Sequence, residues 1–198
     1  VWVGTNAVRD MDAEESPQVG ESAWDGLDES ADPGLAVQRS VEEEEEEDLR
    51  EGLAGLSRLT NQLGLEELLT RVATYAVRAI PGADGAGLTL LEDDRANTIV
   101  ATAAFVSEID DIQYGIGQGP CITAAREGQT VMSGSLGSDP RWRKFGGTVA
   151  RLGVHSALSL PLVTPDGVVG AMNVYAHGRQ VFDERAAELG EIYAVPAA

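Results

Sequence analysis

Two apolar runs near the C-terminal end, HSALSLPLV and VVGAMNVYAH, flank Thr164-Pro165-Asp166-Gly167. Nothing else in the chain restricts its fold as strongly. Proline presets the backbone for a turn, aspartate can hydrogen-bond its own backbone, and glycine accepts positive φ, so the two runs pair antiparallel. Two more strand-like pieces, GAGLTLLE and NTIVATAAF, stand either side of a turn at Asp93-Asp94-Arg95. Neighbouring strands joined by tight turns predict an antiparallel sheet. Helical periods elsewhere predict helices packed on it, an α+β class.

A first helix is predicted over 40–64, SVEEEEEEDLREGLAGLSRLTNQLG. Ser40 with Glu43 fits a capping box, the acidic run lies where the helix dipole favours negative charge, and Gly64 marks the end. Leu49, Leu53, Leu56, Leu59 and Leu63 form one narrow stripe. Such a stripe fits a seam between subunits or packing onto its own domain. LEELLTRVATYAVRAI is a second helix with Leu65, Leu68, Leu69, Val72, Ala73, Ala76 and Ile80 on one face, stopped by Pro81-Gly82. RKFGGTVARLG reads as a short helix. A last helix over 183–195 opens at the cap Asp183, and Pro196 is expected to break it.

Charge narrows the partners. Residues 1–50 carry three arginines and sixteen acidic residues, so −13 of the chain's −19 lies in its first quarter. Binding of phosphate backbones or anionic lipid needs clustered Lys and Arg, so direct nucleic-acid binding and membrane association are not expected. Residues 1–39 show no sustained period and read as a flexible acidic arm, with Trp2 and Trp24 as candidate partner contacts. One cysteine, no apolar run of membrane-spanning length and no signal-peptide core point to the cytoplasm.

YGIGQGPCITAAREG, Tyr114 to Gly128, is the stretch richest in possible chemistry. A dinucleotide loop needs a third glycine where Pro120 stands, and the Lys-Ser/Thr of a phosphate loop is missing. The segment reads instead as a turn into a helix with Pro120 at its first position. Cys121 would then sit near a helix N-terminus, where thiolate is favoured. A redox-sensing thiol and a buried packing residue are both open readings of it. His155 and His177 are the only histidines, so neither a zinc site nor a cysteine–histidine pair is assembled. Asp93-Asp94 and Asp110-Asp111 read as solvated turns. No catalytic residues, metal ligands or cofactors are expected.

YGIGQGPCITAAREGQTV, SDPRWRKF, RLGVHSALSLPL and VVGAMNVYA, in this order, resemble the GAF domain. The match is closest to the GAF modules of actinobacterial GAF–ANTAR regulators and spans roughly residues 50 to 195. The resemblance implies an antiparallel sheet with helices on one face and a loop-covered small-molecule pocket on the other. It implies homodimers through the first and last helices, and a non-catalytic sensory role in signalling or transcription antitermination. In those regulators an RNA-binding helical domain follows the last GAF helix; the sequence ends at Ala198 first, so output is expected to involve more than this chain. Cyclic-nucleotide-binding GAF domains carry an Asn-Lys-Phe-Asp-Glu set, of which only Phe182-Asp183-Glu184 is matched. Sulfoxide-reducing GAF enzymes use several cysteines. His155 is the one candidate for a haem ligand. Alternation in VVGAMNVYA places Asn173 and Tyr175 on the more polar face. The expected pocket residues are therefore Tyr114, Cys121, Trp142, Phe145, Asn173 and Tyr175, with a thiol sensor at Cys121 or a purely structural dimerisation module as alternatives.

Overall fold

The computed structural model describes residues 33–58, 64–92 and 95–198. Trp2, Trp24, Leu59, Leu63 and the turn at Asp93-Asp94 lie outside the described residues. Contacts divide the chain into two units, Val1–Arg39 and Ser40–Ala198. Residues 33–39 of the first unit are helical, and the second holds the entire sheet.

Five strands form that sheet: β1 Gly85–Glu92, β2 Arg95–Ala101, β3 Val131–Ser133, β4 Ser156–Thr164 and β5 Gly167–Ala176. Their spatial order is β2-β1-β5-β4-β3, and each neighbouring pair is antiparallel. Thr164 pairs with Gly167, so the Pro165-Asp166 turn closes the expected hairpin. Among the described residues the α-helices are α1 Pro33–Ser57, α2 Leu65–Ala79, α3 Ala104–Ile116, α4 Pro120–Glu127, α5 Arg143–Arg151 and α6 Glu184–Ala197, with short 3-10 turns at Leu136–Ser138 and Pro140–Trp142. The α+β class and the antiparallel sheet are as the sequence predicts.

Strand alternation sorts the side chains into two layers. Leu88, Leu158, Leu160, Leu162, Met172 and Val174 join residues of α1, α2 and α6 in one apolar core. Burying each such side chain stabilises the fold by about 1.5–3 kcal/mol. Gly190 brings α6 onto β4, since a Cβ there would lie 2.9 Å from Leu160 Cδ1. Tyr193 OH donates to the Val72 carbonyl at 2.8 Å and ties α6 to α2. The other face carries Thr89, Ala157, Ser159, Asn173 and Tyr175. It is covered by α3, α4 and α5 as well as by loops.

Several local expectations are corrected. Helix α1 begins at Pro33, a residue suited to the first helical turn, so Ser40 lies mid-helix rather than at the N-cap. That helix ends at Ser57, and Gly64 is instead the N-cap of α2. The described part of the leucine stripe faces its own domain: Leu49 is buried, and Leu53 and Leu56 pack against the same core. Gly52 and Gly55 permit the approach, because a Cβ would lie 3.1 Å from Ala79 Cβ at the first and 2.6 Å from the Tyr75 ring at the second. Leu65 opens α2 but is 70% exposed. NTIVATAAF leaves the sheet at Ala101, and its last two residues start α3, which the sequence reading missed. Pro196 lies inside α6. It stands in the last turn, where the missing N–H removes one bond and few residues follow. Among the described residues no helix is long and apolar enough to cross a membrane.

Adjacent glycines in α5 should respond oppositely to alanine. A Cβ at Gly146 would overlap the Leu136 carbonyl oxygen and lie 2.7 Å from its carbon, whereas one at Gly147 meets nothing within 4 Å. We expect Gly146→Ala to cost about 1–3 kcal/mol through forced backbone shifts. Gly147→Ala should stabilise the protein by about 0.5–1 kcal/mol through helix propensity. Urea unfolding of both variants measures the difference.

Candidate functional site

Helix α3 reaches the sheet because β1 offers it glycines. A Cβ at Gly85 would lie 2.7 Å from both Phe105 Cζ and Val106 Cγ2. One at Gly87 would lie 2.9 Å from Val106 Cγ1 and 3.1 Å from Asp110 Oδ2. With α3 seated there, its inward positions are Val106, Ile109, Asp110 and Gln113. Helix α4 follows after Gly117, whose αL conformation caps α3, and begins at Pro120 as predicted. Cys121 is its second residue and is buried.

A connected polar cluster lies between these helices and the sheet. Asp110 Oδ1 accepts from Tyr175 OH at 2.6 Å, Gln113 Nε2 at 2.8 Å and Asn173 Nδ2 at 3.3 Å. Its Oδ2 accepts from Thr98 Oγ1 at 2.8 Å. Tyr114 OH lies 2.8 Å from Thr98 Oγ1 and 2.6 Å from Thr89 Oγ1. Because Thr98 gives its proton to Asp110, donation runs from Thr89 to Tyr114 to Thr98 to the carboxyl group. Thr89 Oγ1 in turn accepts from Asn173 Nδ2 at 3.0 Å and Cys121 Sγ at 3.4 Å. Ser159 Oγ donates to Asn173 Oδ1 at 3.0 Å. The Cys121 backbone N–H donates to Gln113 Oε1 at 3.1 Å, and Gln113 Nε2 also reaches Tyr175 OH at 2.9 Å.

The cluster's titratable members are Asp110, Tyr114, Cys121 and Tyr175, and among the described residues no base hydrogen-bonds with them. Burial raises the Asp110 pKa against the pull of its four side-chain donors. Burial, and then the nearby Asp110 charge, raise both tyrosines. The same two causes push the Cys121 thiol up to about 11. The helix N-terminus therefore does not yield the low-pKa thiol that the sequence allowed, because burial and the Asp110 charge raise it.

Four of the six expected pocket residues, Tyr114, Cys121, Asn173 and Tyr175, share this cluster. Trp142 and Phe145 do not hydrogen-bond into it. They pack with Val149, Val154, Ala157 and the Tyr175 ring in an adjoining apolar cluster. Trp142 Nε1 donates to Thr123 Oγ1 at 3.1 Å, and the Arg141 guanidinium stacks 4.2 Å above the Trp142 ring. The reading of Asp110-Asp111 as a solvated turn is corrected: both are helical, Asp111 is exposed, and Asp110 is fully buried. Asp110 and Gln113 were missed although Val106, Ile109, Asp110 and Gln113 repeat at helical spacing. Thr89, Thr98 and Ser159 carried no signal beyond strand alternation. His155 stands outside the cluster's hydrogen bonds, and its Nδ1 has no partner. Among the described residues no group of three or more His, Cys, Asp or Glu could hold a metal ion. A cavity of about 260 Å³ lies elsewhere, between the end of β4 (Leu160, Pro161, Val163) and α6 (Ala194, Val195).

A family model for the GAF domain matches residues 62–198. Solved structures share the fold. The GAF domain of a phosphoenolpyruvate-protein phosphotransferase from Coxiella burnetii is 16% identical with a TM-score of 0.60, over 77% of this chain and 89% of that one. The cyanobacteriochrome TePixJ GAF domain is 16% identical with a TM-score of 0.54, over 71% and 89%. A type II free methionine-R-sulfoxide reductase from Thermoplasma acidophilum is 15% identical with a TM-score of 0.52, over 67% and 94%. No curated protein matches the chain.

The buried carboxyl group should imprint a particular pH dependence. With its folded pKa raised above 3.8, Asp110 contributes stability that is present below the unfolded pKa and lost as pH rises through the folded one. In urea unfolding from pH 4 to pH 8, wild type should therefore lose its advantage over Asp110→Asn as pH rises. An advantage that grows with pH would mean the donors outweigh burial. The thiol should be slow. A pKa near 11 rather than 9.0 lowers the thiolate fraction about 100-fold. Reaction of Cys121 with a disulfide reagent at pH 8 should be slower than in the urea-unfolded chain by at least that factor.

Proposed function

Because this chain belongs to the GAF domain family, we propose that it is a non-catalytic sensory module that binds a small molecule on the sheet face under α3 and α4. The observation that carries this reading is one buried hydrogen-bond network, in which Asn173 and Tyr175 donate to the carboxyl of Asp110 and Tyr114 and Cys121 join through Thr98 and Thr89. A polar cluster of this kind is costly to bury, and it stands where side chains from four strands and two helices can sort hydrogen-bonding partners.

The reading includes a route outward. Ser159 and Asn173 face the cluster, while their neighbours Leu160, Met172 and Val174 face the core shared with α6 and α2. A ligand that prefers another arrangement of the cluster would shift β4 and β5 and bias the packing of α1 and α6. We read the chain as a cytoplasmic homodimer associating through those helices, within a signalling or transcription-antitermination regulator of the GAF–ANTAR kind. The absence of catalysis is supported by the raised thiol and by a carboxyl group whose bonded neighbours are all neutral donors. The same thiol pKa argues against a redox sensor.

The test combines native mass spectrometry of the protein as purified with a thermal-shift screen of a defined metabolite panel. A saturable ligand should change hydrogen exchange in α1 and α6, and Asn173→Leu should weaken its binding at least about tenfold. If no panel member binds and none co-purifies, the sensory reading fails and a structural dimerisation module remains.

A further inference from the structure

The Gln113 carboxamide is held as a bound ligand would be. Its Nε2 sends one hydrogen to Asp110 Oδ1 at 2.8 Å and the other to Tyr175 OH at 2.9 Å. Its Oε1 accepts the Cys121 backbone N–H at 3.1 Å. Tyr175 has already given its own proton to Asp110, so toward Gln113 it can only accept. The two acceptors stand 2.6 Å apart, so the slot calls for an N–H donor at one end and an acceptor at the other, a pattern that a primary amide, with a hydrogen for each acceptor, fills most fully. A carboxylate would set an oxygen without hydrogens against two acceptors. An N-substituted amide would lose one or both donors.

The backbone is shaped around the same group. A Cβ at Gly119 would overlap Gln113 Oε1 and lie 2.7 Å from Gln113 Cβ, so glycine there makes room for the amide. The turn that carries Gln113 is closed by the αL conformation of Gly117, whose N–H donates to the Gln113 carbonyl at 2.8 Å. Gly115, within α3, meets nothing within 4 Å of a would-be Cβ, so packing does not require glycine there. Glycine inside a helix loosens it. Residues 115–118 are all exposed, so the segment can move without leaving a core.

We propose that this slot is a receptor for a primary carboxamide, that Gln113 fills it in the state described here, and that a small amide ligand enters by displacing that side chain as the end of α3 unwinds. The inference rests on the sensory reading for its biological sense, but the slot's chemistry can be tested apart from it.

The experiment empties the slot with Gln113→Ala and offers acetamide, acetate or N,N-dimethylacetamide. Acetamide should raise the variant's melting temperature saturably and restore exchange protection at the Cys121 amide, in about the millimolar range expected for so small a ligand. It should bind at least about tenfold better than either control. In wild type, acetamide should act only at higher concentration and should speed exchange in the last turn of α3, where Gln113 is displaced. That wild-type arm stands alone if Gln113→Ala does not fold. Equal effects of acetamide and the two controls, or unchanged exchange at both Cys121 in the variant and the α3 turn in wild type, overturn the receptor. Saturable acetamide binding that never reaches α1 and α6 keeps the receptor and removes the sensory reading. A response of those helices to another ligand, with acetamide inert, does the reverse.

Discussion

The fold's second layer is organised by one obligation, that of satisfying a carboxyl group with no cation beside it. Asp110 is fully buried, and its bonded neighbours are all neutral donors. Thr98 comes from β2, Tyr175 and Asn173 from β5, and Gln113 from α3 itself. Removing any donor would leave part of a buried acid unpaired, at a cost of about 1–3 kcal/mol. The carboxyl group therefore fixes the height of α3 over the sheet. Through Gln113 it also fixes the start of α4, whose first available N–H, that of Cys121, is capped by that amide. The position of Cys121 follows from this chain of contacts, and so does its chemistry.

The sheet serves two environments with one set of strands. Along β4 and β5, polar side chains toward α3 and α4 alternate with large apolar ones toward α2 and α6. A strand cannot displace one kind without displacing the other, because both hang from the same pleated backbone. Close packing at Gly190 on Leu160 leaves little slack on the apolar side.

Much of this was legible in the residues. The Pro–Asp–Gly turn set the central hairpin, GAGLTLLE coincides with β1, Pro120 starts α4 and Asp183 caps α6, its side chain accepting the Ala186 N–H at 2.9 Å. Those features are local, and local chemistry decides them. Helix α3 was not legible because its inward face mixes Val106 and Ile109 with Asp110 and Gln113. An inward polar pair looks like a break in the apolar period until its partners are known, and Thr98 and Tyr175 lie far off in sequence. Cys121 misled for a similar reason. Its helix position was read correctly, but burial, which reverses the effect on the thiol, is tertiary.

The inward turn of α1 has an electrostatic consequence. With Leu49, Leu53 and Leu56 packed on their own core, the exposed flank of that helix presents Glu42, Glu43, Glu44, Glu46, Glu47 and Asp48, only partly offset by Arg50 and Arg185. Two copies that meet along such flanks bring like charges together, and the repulsion reaches about 10 Å at 0.1 M salt and 30 Å at 0.01 M. Association by that route would tighten with ionic strength, whereas a basic partner on the same flank would be held most firmly in dilute salt.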